Sequence, residues 1–163
     1  MIKVAICDDD IQFIYKLEQS IFRFAEMKRI KVDVDGYTSG AEFIQKLQQS
    51  ERYDLLFLDI ELGDSSGIIV GNWIRSQIQY ESMQIVFVSA KEMYAMQLFD
   101  LRPMNFLVKP IQQERVDYIL DEYERLYQFQ PHIIEIGKGR NAIRIEEHSV
   151  FYLQSLARKI QVV

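Results

Sequence analysis

Five residues of this 163-residue chain have types and settings suited to phosphoryl chemistry: Asp8, Asp9, Asp59, Ser89 and Lys109. Each stands at the end of a short apolar run: Ile2–Cys7, Tyr53–Leu58, Ile85–Val88 and Asn105–Val108. Three carboxylates gathered at one place repel one another and drive their pKa values up unless a cation joins them. Mg²⁺ suits such a set, because a few carboxylates plus water and phosphate oxygens complete its octahedron. A carboxylate is also a competent nucleophile and yields an aspartyl phosphate. Transfer of the group then needs positioning and charge neutralisation more than covalent help. Lys109 offers a point charge for phosphoryl oxygens, and Ser89 a hydroxyl donor.

These residues need a scaffold that brings strand ends together. Ile2–Cys7 reads as a strand, and Ile11, Ile14, Leu17, Ile21 and Phe24 then recur at helical spacing after Asp10, a natural N-cap. Val32–Tyr37 alternates like a strand. Ser39-Gly40-Ala41-Glu42 has the form of a capping box ahead of Phe43, Ile44 and Leu47. After Asp59 comes a loop with Gly63 and Gly67, then a helical pattern through Ile74 and Ile78. Helical stretches are expected at about 92–101 and 112–129. β and α thus alternate five times. Near-continuous apolar strands imply a parallel sheet covered on both faces, hence an α/β doubly wound fold with its ligand site at the carboxyl ends of the strands.

Four segments, taken in order, resemble the receiver domain of two-component response regulators over about residues 1–128: Ile6-Cys7-Asp8-Asp9, Leu56-Phe57-Leu58-Asp59-Ile60, Phe87-Val88-Ser89-Ala90 and Phe106-Leu107-Val108-Lys109-Pro110. The resemblance implies a five-stranded sheet in the order 2-1-3-4-5. It implies phosphorylation of Asp59 by a sensor histidine kinase. Asp9 and Asp59 would ligate Mg²⁺ directly, Asp8 mainly through water, and Glu61 through its backbone carbonyl. Ser89 and Phe106 would form the switch, and Lys109-Pro110 a cis peptide. A homodimer would form through the fourth helical stretch (92–101), the fifth strand and the fifth helical stretch. The loop Leu62-Gly63-Asp64-Ser65-Ser66-Gly67 departs from the family's usual proline and Met-Asp-Gly, and Phe106 stands where tyrosine is common.

The pattern changes near residue 130. Gln130-Pro131-His132 reads as a linker, and residues 130–163 as a β-rich segment with strand-like runs at Ile133–Ile136, Ala142–Ile145, Val150–Leu153 and Ile160–Val163. That is too short for a core of its own. His148-Ser149-Val150-Phe151-Tyr152-Leu153-Gln154-Ser155 and Arg158-Lys159 resemble the start of a LytTR-type DNA-binding domain, as does Leu101-Arg102-Pro103-Met104-Asn105-Phe106 the receivers attached to one. The expected division is a receiver at 1–129 and an incomplete output segment at 130–163, with DNA read only by a complete output domain. The first 130 residues carry a net charge of −7 and the remainder +2, so the body would repel nucleic acid.

Other readings stand beside this one. A haloacid dehalogenase-type phosphatase also forms an aspartyl phosphate, but wants a second aspartate where Glu61 stands. A receiver acting only as an interaction module would not need the full acid, hydroxyl and lysine set. A flavin module lacks a phosphate cradle, since Asp8-Asp9 comes directly after the first strand. Asp8-Asp9-Asp10 taken alone is a helix start favoured by the dipole, and Phe106 taken alone is core. Cys7, the sole cysteine, excludes an internal disulfide and reads as a buried filler. His132 and His148 lack ligand spacing. No apolar run approaches membrane-spanning length and no signal peptide is evident, so no membrane contact and a cytoplasmic location are expected.

Overall fold

Apolar runs with β-branched and aromatic residues build the five strands that order the molecule. The structure, a computed structural model, describes residues 1–128 and the strand backbones at 133–136, 143–146, 153–156 and 159–162. Along the chain lie β1 (Ile2–Cys7), α1 (Ile11–Lys28), β2 (Val32–Tyr37), α2 (Gly40–Gln48), β3 (Leu55–Asp59), α3 (Gly67–Ser76), β4 (Gln84–Ser89), β5 (Asn105–Val108) and α4 (Gln113–Tyr123). The chain divides into two compact units, residues 1–120 and 121–163.

The first unit is one parallel sheet in the order β2-β1-β3-β4-β5. All five residues of β3 are buried, as a central strand covered on both faces requires. On one face Leu56, Leu58, Ile85 and Phe87 pack with Phe43, Leu47, Val70 and Ile74 of α2 and α3. Beneath the other, Val4, Ile6, Phe57 and Val86 are buried, as are Ile21 and Phe24 of α1 and Val116 and Ile119 of α4. Among the described residues no helix is long and apolar enough to cross a membrane.

Helix starts obey the sequence signals. Asp10 Oδ1 accepts Gln12 N (2.9 Å) and Phe13 N (3.3 Å) at α1, and Ser39 Oγ accepts Glu42 N (3.0 Å) at α2. The expected boundaries need correction in several places. Ile11 opens α1 at helical spacing but is 68% exposed. β3 begins at Leu55, not Tyr53. α3 stops at Ser76, and a separate 3-10 turn holds Ile78–Tyr80. The fourth helical stretch, Glu92–Leu101, is wound as 3-10 rather than α. The fifth is α4, which gives way at Glu124–Gln128 to a π-helical turn.

In the second unit β6 (Ile133–Ile136) pairs antiparallel with β7 (Ile143–Glu146), and β8 (Leu153–Leu156) with β9 (Lys159–Val162). The segment is therefore β-rich as expected, with β8 lying three residues later than the run Val150–Leu153. The linker Gln130-Pro131-His132, both histidines and the run Val150–Tyr152 lie outside the described residues.

Candidate functional site

Parallel strands deliver their last residues to one edge, and here that edge gathers the charged groups. Asp8 and Asp9 come after β1, Asp59 ends β3, Ser89 ends β4 and Lys109 comes after β5. Ligand oxygens of Asp8, Asp9 and Asp59 all lie within 4.8 Å of one another. Lys109 Nζ stands 2.6 Å from Asp8 Oδ2 and 3.2 Å from Asp59 Oδ2. It also sits 4.3 Å from the centroid of the Phe13 ring, a cation–π contact from α1.

The groups differ in burial, and two of them are shifted in charge equilibrium. Asp8 is 0% exposed and Asp59 5%, whereas Asp9 faces solvent. Burial raises the Asp8 pKa and the Asp59 charge adds to it, while the Lys109 ammonium and the Asp10 amide (2.9 Å) work the other way. Burial works to lower the Lys109 pKa, but bonding to Asp8 and the charge of Asp59 override it and leave it raised. Lys109 is thus a firmly protonated cation between two carboxylates. Asp8 Oδ2, wholly buried, is met by the Lys109 ammonium at 2.6 Å. Three clustered carboxylates around one ammonium leave an excess of negative charge that fits a hard divalent cation.

The remaining expected site residues fall around this centre. Ser89 is wholly buried, its Oγ accepting Lys91 N (3.0 Å) and its carbonyl accepting Lys109 N (2.8 Å). Phe106 is half-buried, paired in register with Phe87 and packed against the core face shared by α2 and α3. Glu61 turns its side chain away from the carboxylates: Oε1 accepts Lys91 Nζ at 2.5 Å and lies 3.5 Å from the Tyr94 hydroxyl. Lys109-Pro110 is a cis peptide. Cys7 is buried and its thiol pKa is pushed up by burial, which marks it as packing.

Sequence reasoning passed over Phe13, Lys91, Tyr94 and Asp64. Phe13 sits three residues beyond Asp10 on α1, a spacing that puts it at the same helix end as the acids. Asp64 in a Gly-Asp-Ser-Ser loop carried a side-chain-to-backbone bonding signal. Lys91 and Tyr94 had none.

This fold and site have a known class. Residues 4–121 match the family model described as response regulator receiver domain, and the chain belongs to that family. It is 29% identical over 151 residues to the Bacillus cereus sensory transduction protein LytT, covering 92% of this chain and 58% of that one. It is 30% identical over 126 residues to the Streptococcus agalactiae sensory transduction protein LytR, covering 77% and 49%. The chain therefore spans about half the length of the curated relatives it matches, and the LytT match cannot be confined to its first 128 residues. Among solved structures, the response regulatory domain of protein mrkE from Klebsiella pneumoniae is 23% identical with a TM-score of 0.68, over 79% of this chain and all of that one. The BeF3-activated DrrB receiver domain is 18% identical with a TM-score of 0.63, over 77% and 98%. The family is one of signalling proteins, not metabolic enzymes, and neither the phosphatase nor the flavin reading is favoured.

Proposed function

We propose that Asp59 is the phosphoacceptor of a two-component response regulator. The observation that carries this reading is the convergence of Asp8, Asp9 and Asp59 around Lys109 at the carboxyl edge of the sheet. An Asp59 carboxylate oxygen attacks phosphorus, and the new O–P bond forms as the P–N bond of a phosphohistidine on the partner kinase breaks. The bonding pair leaves on the donor imidazole. Asp8, Asp9, Asp59 and the Glu61 carbonyl would hold Mg²⁺, which supplies charge neutralisation when bound. Lys109 exchanges its bond to Asp59 for one to the incoming phosphoryl oxygens. Ser89 donates its hydroxyl to the same group and gives up its bond from the Lys91 amide, which lets Phe106 move inward. The phosphoryl group biases the switch only through its better bonding in that second arrangement. The chain's catalysis is confined to its own phosphorylation and dephosphorylation.

We place the receiver at residues 1–129 and read 130–163 as the opening of a LytTR-type DNA-binding output domain. The LytT match reaching past residue 128 supports this. A homodimer through the 92–101 segment, β5 and α4 is supported by the exposure of Met93, Met96, Phe99, Val108 and Tyr118 there. A cytoplasmic location goes with the kinase partnership.

The test is intact mass after incubation with acetyl phosphate and Mg²⁺. One phosphoryl group should add to the parent chain and none to Asp59→Asn. An Asp59→Asn protein that gains the same mass at the parent rate would move the acceptor elsewhere.

A further inference from the structure

The loop Ile60–Ser66 joins β3 to α3 and carries Glu61, whose carbonyl the cation reading needs. Its two ends are fixed by local bonds. Gly67 N donates to the Ile60 carbonyl (3.0 Å), Glu61 and Ser66 form an isolated antiparallel bridge, and Ser66 Oγ caps α3 through Ile68 N (3.2 Å). Its middle is fixed from far away in sequence. Asp64 Oδ1 accepts Gly40 N and Asp64 Oδ2 accepts Ala41 N, both at 3.1 Å.

Those amides are the first two of α2, and they have no partner within the helix. Ser39, the helix's own cap, takes the third through Glu42 N. The start of α2 therefore draws on two side chains, one local and one from across the site. The carboxylate gains from the partial positive charge of the helix end. Accordingly, the bond from the Ala41 amide, with others from the backbone and Ser65, keeps the Asp64 pKa below the ordinary carboxyl value.

The clamp is tight on both sides. A Cβ at Gly40 would meet Ser65 Oγ at 2.6 Å and Val70 Cγ2 at 2.7 Å, so the loop lies directly on the helix start. A Cβ at Gly63, one residue before Asp64, would stand 3.1 Å from Asp9 Oδ2. The loop is thus pinned to α2 one residue from where it passes the Asp9 carboxylate.

We propose that Asp64 is a positioning residue for the cation site, holding the Ile60–Ser66 loop in ligating register by binding the first two amides of α2. This rests on the reading that Asp8, Asp9, Asp59 and Glu61 hold Mg²⁺. In consequence α2, which contributes no ligand, is coupled to the cation through Asp64: loss of that carboxylate weakens binding, and binding steadies the Gly40 and Ala41 amides that it holds.

The experiment is a Mg²⁺ titration monitored by amide chemical shifts of the strand-end residues, with amide exchange rates at Gly40 and Ala41 recorded without metal. Asp64→Ala should speed exchange at both amides by about tenfold. It should weaken Mg²⁺ binding by about three- to tenfold, less than or equal to what loss of a ligand-orienting partner usually costs. Asp64→Asn, which keeps one acceptor oxygen, should fall between. Ser39→Ala removes the local cap without touching the loop and should leave Mg²⁺ affinity at the parent value. Parent affinity in Asp64→Ala overturns the proposal, as does an equal weakening in Ser39→Ala, which would make helix instability the cause. A parent chain whose strand-end amides show no saturable Mg²⁺ response sinks the cation reading itself, and the positioning role with it.

Discussion

Two segments leave adjacent strands at the same edge of the sheet and are built in opposite ways. The one after β3 is pinned by four kinds of bond: a backbone turn, an isolated bridge, the Ser66 cap and the Asp64 carboxylate on α2. The one after β4, Glu92–Leu101, has no side-chain cap at its start and is wound for ten residues as a 3-10 helix. That winding has poorer hydrogen-bond geometry than α, and such long runs are uncommon. Residues i and i+3 eclipse in it, which aligns Leu98 and Leu101 toward the core and Met93, Met96 and Phe99 toward solvent. At 71%, 84% and 84% exposed, these three form an apolar stripe on that segment. On the proposed reading the site holds a cation and passes a signal outward, which calls for one fixed wall and one able to move. The two exits from the sheet suit that division.

The largest effect should come from the fixed wall. A Cβ on Gly67 would stand 2.0 Å from the Asp59 carbonyl oxygen, so Gly67→Ala must push α3 off the strand. A loss of about 3 kcal/mol in urea unfolding is expected, at the upper end of overpacking costs. A loss under about 0.5 kcal/mol, the level of a surface change, would mean that the wall yields.

The movable wall should respond in association and not in stability. Phe99→Ser should change unfolding free energy by no more than about 0.5 kcal/mol. It should weaken beryllofluoride-driven pairing in sedimentation by about tenfold, the scale of an interface anchor. Equal pairing by parent and variant would remove the stripe from the dimer face.

The smallest effect is one of pH and belongs again to the fixed wall. The Asp64 carboxyl is depressed from its ordinary 3.8 in the folded chain. A depressed group stabilises above the unfolded pKa, and the contribution fades as pH falls through the lower folded value. The parent should therefore exceed Asp64→Asn in thermal midpoint at pH 7, with the gap closing below about pH 4. A gap that widens in acid would reverse the sign of the argument.

The sheet and the convergence of the candidate site residues were legible in the sequence because each depends on local apolar runs and on the polar residues that end them. Tyr53–Leu58 and Ile85–Val88 read as buried strands, and Asp59 and Ser89 stand where those runs stop. The two walls were not legible. Apolar residues between 92 and 101 are too dense to show a period, so Phe99 reads as core as readily as Leu98 does. Asp64 reaches Gly40 across 24 residues, a pairing set only once β1, β3 and the helices between them are in place. Ile11 keeps the helical spacing yet is exposed, because spacing gives the face of a residue but not what packs against it.

The order of strands also has a consequence in time. β1 is the earliest strand of its sheet in the chain and lies in the interior of that sheet, with β2 on one side and β3 on the other. Ile2 meets Val32 soon after α1 is complete, but Val4 waits for Leu55. Until then a growing chain shows an unpaired, wholly apolar edge along Val4, Ala5 and Ile6, the kind of edge that recruits other chains. Asp54 helps close it, its carboxylate accepting Lys3 N at 2.7 Å and its amide donating to the Lys3 carbonyl at 2.8 Å as β3 arrives. The residue just ahead of the third strand thus fastens β3 to the start of β1 from both its side chain and its backbone.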